Sequence, residues 1–150
     1  MNAKHTFLTI GATLLLPYAV LATGPAQFYA VTPCRLVDTR VSPGTPIASG
    51  AVFSFRVIGI CGVPRNATAA FITVTAVSPT DGGFIVVYPN PGYPPLSSLV
   101  NVNPGERALA NGTIAALGTD PVLQMNATYG TCCGHGSTHL VVDVMGYYTP

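Results

Sequence analysis

Val52-Phe-Ser-Phe-Arg-Val-Ile58 and Phe71-Ile-Thr-Val-Thr-Ala-Val77 decide the fold class of this chain. In the first, Phe53, Phe55 and Val57 fall on one side of an extended backbone and Ser54 and Arg56 on the other, the two-residue period of a half-buried strand. In the second, threonines and apolar residues alternate with the same period. Working outward, further strands are expected at about 28–32, 35–39, 84–88, 98–103, 107–117, 121–128 and 139–145. Between them lie turn formers: Ser42-Pro-Gly44, Asp81-Gly-Gly83, Asn90-Pro-Gly-Tyr-Pro-Pro95 and Asn103-Pro-Gly105. The stretch from Gly105 to Leu117 is ambiguous, because its Leu and Ala tolerate helix while Asn111-Gly112 favours a tight hairpin turn. Beyond residue 22 no segment offers a capped helix longer than two turns. The expected fold is all-β, a two-sheet antiparallel sandwich with a jelly-roll connection as one form of it.

The first residues read differently. Lys4 and His5 give a short polar start, and Thr6 to Ala22 is an apolar run interrupted by Gly11 and Pro17. This reads as a signal peptide over residues 1–22, with Val20 and Ala22 as the small residues before the cut and Ala26/Gln27 as the second choice of site. An uncleaved membrane anchor is the alternative. Residues 23–150 are then a single β-sandwich domain of about 128 residues, enough for one core. The sequence carries no internal repeat and no linker long enough to divide it.

Only 7% of the chain is charged against 49% apolar, where an average soluble domain has roughly a quarter charged. Without Lys4, the part after the expected cut carries Arg35, Arg40, Arg56, Arg65 and Arg107 against Asp38, Asp81, Glu106, Asp120 and Asp143, a balance of zero. That balance offers no footprint for nucleic acid or an anionic membrane. It also lowers the barrier to association with copies of the chain or with a wall polymer.

Two motifs bracket the domain: Phe28-Tyr-Ala-Val-Thr-Pro-Cys-Arg-Leu-Val-Asp-Thr-Arg40 and His139-Leu-Val-Val-Asp-Val-Met-Gly-Tyr-Tyr148. With Cys61-Gly-Val-Pro64 between them, they resemble the modules with a V-T-P-x-R-x-x-D-T-R opening and an H-x-x-x-D-V-x-G-Y-[FY] ending that recur in secreted and cell-wall-associated bacterial proteins. The resemblance implies an exported, β-sandwich-like module with no established chemical activity. It also implies that Cys34 and Cys61, both in motif segments, are joined. Closing that loop is worth roughly 3 kcal/mol in the chain-entropy model. Cys132 and Cys133 leave open a vicinal bridge, a bridge to another chain, two free thiols or crossed pairing. His139, which opens the closing motif, is expected to make a structural hydrogen bond to backbone or a neighbouring hydroxyl. Charges set inside apolar strands invite pairing, so Asp38, Arg40 and Asp143 are expected to meet, with Arg40 bridging one or both carboxylates. The pair is expected to be buried, so that losing one partner leaves a buried charge unpaired at a cost of about 3–5 kcal/mol. Calcium held by Asp38 and Asp143 is the rival reading, disfavoured by the adjacent arginine.

Other constellations are weaker. Cys132-Cys-Gly-His-Gly-Ser-Thr-His139 holds thiols and imidazoles that suit zinc or copper, at a spacing that fits no known zinc module. Ser137, His139 and Asp143 are the residue types of a hydrolase triad, yet His139 and Asp143 lie about 13 Å apart along a strand. Glu106 with Asp81 or Asp120 forms no evident carboxylate pair for glycoside hydrolysis. Tyr88, Tyr93 and Tyr129, with Tyr147 and Tyr148, are candidate platforms for a sugar ring or an apolar partner. Sequons at Asn66, Asn111 and Asn126 are expected to be bare. No catalytic residue, metal or cofactor is assigned. The expected function is an exported, non-catalytic structural, adhesive or scaffold module that self-associates at the cell surface, outside the membrane once the signal is cut. A carbohydrate-binding module for wall polysaccharide is the alternative, and a small secreted hydrolase or metal-binding protein a distant one.

Overall fold

A computed structural model describes residues 24–150, and the segment expected to be a signal peptide lies outside them. The described residues form β1 (Gln27–Asp38), β2 (Ile47–Ala48), β3 (Val52–Phe55), β4 (Ala69–Val77), β5 (Gly83–Pro89), β6 (Val100–Val102), β7 (Ala108–Ala116), β8 (Met125–Thr131) and β9 (Ser137–Thr149). One sheet runs β1-β9-β4-β7, with β2 added to the start of β9, and the other runs β3-β8-β5-β6. All pairings are antiparallel. The chain changes sheet at each step from β3 to β9 except the β5–β6 hairpin, so the two-sheet sandwich has the jelly-roll connection.

Alternation builds the core. Ala70, Ile72, Val74 and Ala76 of β4 and Leu140, Val142 and Val144 of β9 are fully buried on the inner face of the first sheet. Opposite them stand Ile85, Met125, Ala127 and Tyr129 of the second. Each such aliphatic side chain contributes about 1.5–3 kcal/mol on leaving water.

Four expectations are corrected. The strand expected over 52–58 ends at Phe55, because the Val57 and Ile58 N–H groups turn to the Gln124 side chain instead of a neighbouring strand. The strands expected at 28–32 and 35–39 are one strand, because irregularities between Ala30 and Cys34 and between Arg35 and Val37 absorb Pro33 and keep β1 on β9. Asn111-Gly112 is no hairpin turn: it sits mid-strand, opposite Val74 and Thr73 of β4. Asn111 Nδ2 instead donates to Leu99 O at 2.9 Å. Gly112 lies under the Phe71 ring, where an added Cβ would come within 3.3 Å of Cε2. The strand expected at 121–128 begins only at Met125, because Asp120 Oδ1 accepts the N–H groups of Val122 and Leu123 at 2.9 and 2.7 Å and folds that stretch into a turn.

Gln124 fastens this turn to the core. Its Oε1 accepts Val57 N–H and Ile58 N–H, both at 3.0 Å, while its Nε2 donates to Asp120 O at 2.9 Å. On the other side, Cys34 of β1 is bonded to Cys61, with 5.7 Å between their Cα atoms. This ties an edge strand to the loop that leads into β4.

Gln124→Met leaves two amides beneath the turn unpaired and is expected to lower the unfolding free energy by about 2–3 kcal/mol, read from urea titration. Across the 27-residue separation of Cys34 and Cys61, the paired replacement by alanine should lower it by about 3 kcal/mol. A paired variant as stable as the oxidised protein would show that the β3–β4 loop is held without the bond.

Candidate functional site

The opening and closing motifs lie side by side, because Arg35 of β1 stands directly opposite Asp143 of β9. Arg35 Nε and Nη2 donate to the two carboxylate oxygens of Asp143 at 2.7 and 3.1 Å, a two-point fork. Its Nη1 donates to Asp38 Oδ2 at 3.0 Å. Residues three apart on a regular strand face opposite ways; the irregularity between Arg35 and Val37 brings Arg35 and Asp38 to one face. Arg40 completes the network, its Nε and Nη2 reaching Asp38 at 2.8 and 2.6 Å. Asp38 thus accepts from both arginines and from Arg40 N–H at 3.1 Å.

The expected meeting of Asp38, Arg40 and Asp143 is therefore reorganised. Arg35, and not Arg40, bridges the two carboxylates; the clue lay in the R-x-x-D spacing of the opening motif, which only a bulge makes useful. Nor is the network buried: the Arg35 and Arg40 side chains are 48% and 47% exposed. The cost expected for an unpaired buried charge does not apply to a solvated cluster. The Arg40 guanidinium, followed by the Arg40 N–H and Arg35, holds the Asp38 carboxyl well below its ordinary range despite partial desolvation.

Thr39, between the two charged residues, is fully buried. Its hydroxyl accepts the Leu140 N–H at 2.9 Å and lies 3.1 Å from His139 Nδ1. His139 thereby has a hydroxyl partner, and that partner is Thr39 rather than Ser137 or Asp143. The Asp38-Thr39-Arg40 segment also closes β1, since Asp38 O accepts the N–H groups of Val41 and Ser42.

The candidate aromatic platforms separate into three settings. Tyr129 is fully buried, its hydroxyl donating to Asp81 O at 2.5 Å, and burial pushes its phenol above the ordinary range. Tyr88 is buried with its hydroxyl 3.1 Å from that of Thr128. Tyr129 therefore presents no face to a ligand, whereas Tyr88, though nearly buried, lines a cleft with Tyr93 and Leu99 beside β7. Tyr93 is 93% exposed on the proline-rich loop. Tyr147 stacks on exposed Tyr29, with ring centroids 5.4 Å apart, and Tyr148 leans on exposed Phe28 at 5.1 Å. Phe28 and Tyr29, with Tyr93, therefore carry the exposed tyrosine and phenylalanine surface at these three places.

The loop between β8 and β9 holds Cys132 and Cys133 as exposed free thiols, their Sγ atoms 3.2 Å apart. Contact with Cys132 raises the Cys133 thiol above its ordinary range. His135 Nδ1 faces Asp81 at 3.5 Å rather than the thiols. No group of three His, Cys, Asp or Glu among the described residues is arranged to hold a metal ion. Asn126 is buried and its side chain accepts from Ser54 Oγ at 2.6 Å, so in the folded domain this sequon is closed to glycosylation.

Because Asp38 binds its proton more weakly in the folded than in the unfolded chain, its contribution is present above the ordinary carboxylate value of 3.8 and is lost as pH falls below it. Asp120, held low by the Leu123 and Val122 N–H groups, acts with the same sign. Urea titrations between about pH 2 and 5 should show stability rising with pH. Asp38→Asn should flatten that slope, and Arg40→Ala should flatten it more than Arg35→Ala. An unchanged slope in Asp38→Asn would refute the assignment. Compared with known proteins, the chain matches no family model, no curated protein and no solved structure.

Proposed function

We propose that this chain is an exported, non-catalytic structural module that self-associates at the cell surface. The observation that carries the reading is where its scarce charges are used. Arg35, Asp38, Arg40 and Asp143 join the first strand to the last. Glu106 and Asp120 accept backbone N–H groups of their own turns, and Arg56 donates to Ile58 O. These groups hold loops and strand ends in place, their polar atoms engaged within the fold rather than left free to act on a ligand. The bracketing motifs and the apolar leader support an extracellular setting, and a charge balance of zero after the leader favours association.

A second reading, binding of wall or extracellular polysaccharide, is favoured by Phe28 with Tyr148 and by Tyr29 with Tyr147 at one end of the first sheet. Stacking on sugar rings is the interaction such surfaces suit.

Exported protein should have an intact mass corresponding to a start at Thr23 or close to it, and its mass in light scattering should rise with concentration above that of a single chain. Retention of Met1 would overturn the export reading in favour of an anchored chain. Raised melting temperature with wall polysaccharide, lost in Phe28→Ala or Tyr29→Ala, would transfer the proposal to glycan binding.

A further inference from the structure

Among the described residues, each sheet edge but one is guarded against pairing with another chain. Edge strands β3 and β6 have four and three residues. β1 is long but carries two register irregularities, Pro33 without an N–H, and the charge of Arg35. Short length, bulges, proline and charge are the devices that protect a sheet edge. β7 has none of them: it is nine residues long, runs in unbroken register with β4, and contains no proline and no charge.

The phase of its hydrogen bonds shows which groups face outward. Just beyond its two ends, Ser78 N–H donates to Arg107 O at 3.1 Å and Leu117 N–H to Thr68 O at 2.9 Å. Positions 107 and 117 therefore bond toward β4, and so, by antiparallel alternation, do 109, 111, 113 and 115. The N–H and C=O groups of Ala108, Ala110, Gly112, Ile114 and Ala116 turn away from the sheet. Asn111 Oδ1 takes the Gly112 N–H, and Thr113 Oγ1 lies 3.4 Å from Ile114 O. No other hydrogen bond reaches an outward group of β7 among the described residues.

We propose that β7 is a homodimer interface, where two copies of this chain pair antiparallel about a two-fold axis at Gly112. This rests on the reading of the chain as a self-associating module and names the surface through which it associates. The occupant is a second copy because Ala108-Leu-Ala-Asn-Gly-Thr-Ile-Ala-Ala116 complements itself when reversed. With Gly112 opposite Gly112, Ala110 lies across from Ile114, Leu109 from Ala115, Asn111 from Thr113 and Ala108 from Ala116. Each large side chain meets a small one, and the polar residues meet each other. Charge agrees with this choice: residues 108–119 carry none, so two copies meet without like charges opposed, whereas a charged strand would find no counter-ion. The outward residues form one isologous surface, which closes at two copies. Ile114 is 58% exposed, and Tyr93 and Leu96 on the neighbouring loop are almost wholly exposed, which extends the apolar margin. The first sheets of the two copies would join into one continuous sheet.

Sedimentation velocity across a concentration series, with hydrogen exchange on the same samples, tests this. Dimer should form with concentration, and the amides of Ala108, Ala110, Ile114 and Ala116 should gain protection in step with it. Ile114→Lys and Ala110→Lys should each weaken the dimer at least about tenfold, while Val41→Lys, on another exposed apolar side chain, should not. The exchange measurement uses the unsubstituted chain, so it decides the matter even where a variant folds poorly. Association without protection of these amides would overturn the β7 interface and leave the self-associating reading standing. A monomer at every concentration would overturn both. Protection of β7 in a monomer, lost when residues 1–22 are removed, would assign the edge to the chain's own leader and overturn the dimer.

Discussion

The insertion of the last strand between the first and the fourth is the constraint on which the rest of this sandwich depends. β9 pairs with β1, β2 and β4, and its Leu140, Val142 and Val144 fill the centre of the core. Without it, β1 and β4 have no neighbour in common and the apolar face of β4 lacks its lateral partner. The Arg35–Asp143 fork sits on this seam, directly across the β1–β9 ladder. Its worth is geometric more than energetic, since a half-exposed pair adds little net free energy. What it does is set register: slipping β1 by one residue would turn Arg35 toward the core and leave Asp143 unpaired.

The second sheet is anchored by buried side chains that satisfy loop backbone. Gln124 serves the 57–58 and 120–124 segments together, and Tyr129 reaches from the core to the Asp81 carbonyl. Both are polar groups that the low dielectric of the interior makes costly to leave unpaired, and both are fully satisfied. The turns at 81–83 and 120–123 are thus fixed from inside the sandwich.

These two kinds of anchor explain what the sequence could and could not reveal. Alternation made β3, β4 and the all-β class legible, because burial on one face writes a two-residue period directly into side-chain chemistry. A bulge has no such signature: nothing local to Arg35-Leu-Val-Asp38 says that both charged residues share a face, and so the bridging role was assigned to Arg40. Asn111-Gly112 has the composition of a turn, but β4 supplied a nine-residue ladder and the Phe71 ring a use for the missing Cβ. Tyr88 and Tyr129 were candidates for exposure because residue type does not report burial, and their positions depend on which loops fold over the sheets. The charges of the opening and closing motifs, and Cys34 and Cys61, are visible in sequence; the partners of the charges come from strand order, a long-range property.

The same economy that makes the domain sparing with charge leaves its edges unequally defended. Charges spent on the β1–β9 seam and on turns are not available at β7, which lies two strands from the seam in the same sheet. A domain of ordinary composition could place a lysine on each exposed edge. This one places Ala, Gly, Thr and Ile along β7, and Arg35 on the opposite edge, where it also sets register. A module whose task is to stay apart would gain from one charge in β7 at no cost to its core, since Ala110, Gly112 and Ile114 face outward. If β7 pairs as proposed, the guarded β1 edge would confine that pairing to one side, so that association through strands would close at two copies rather than run on as a fibre.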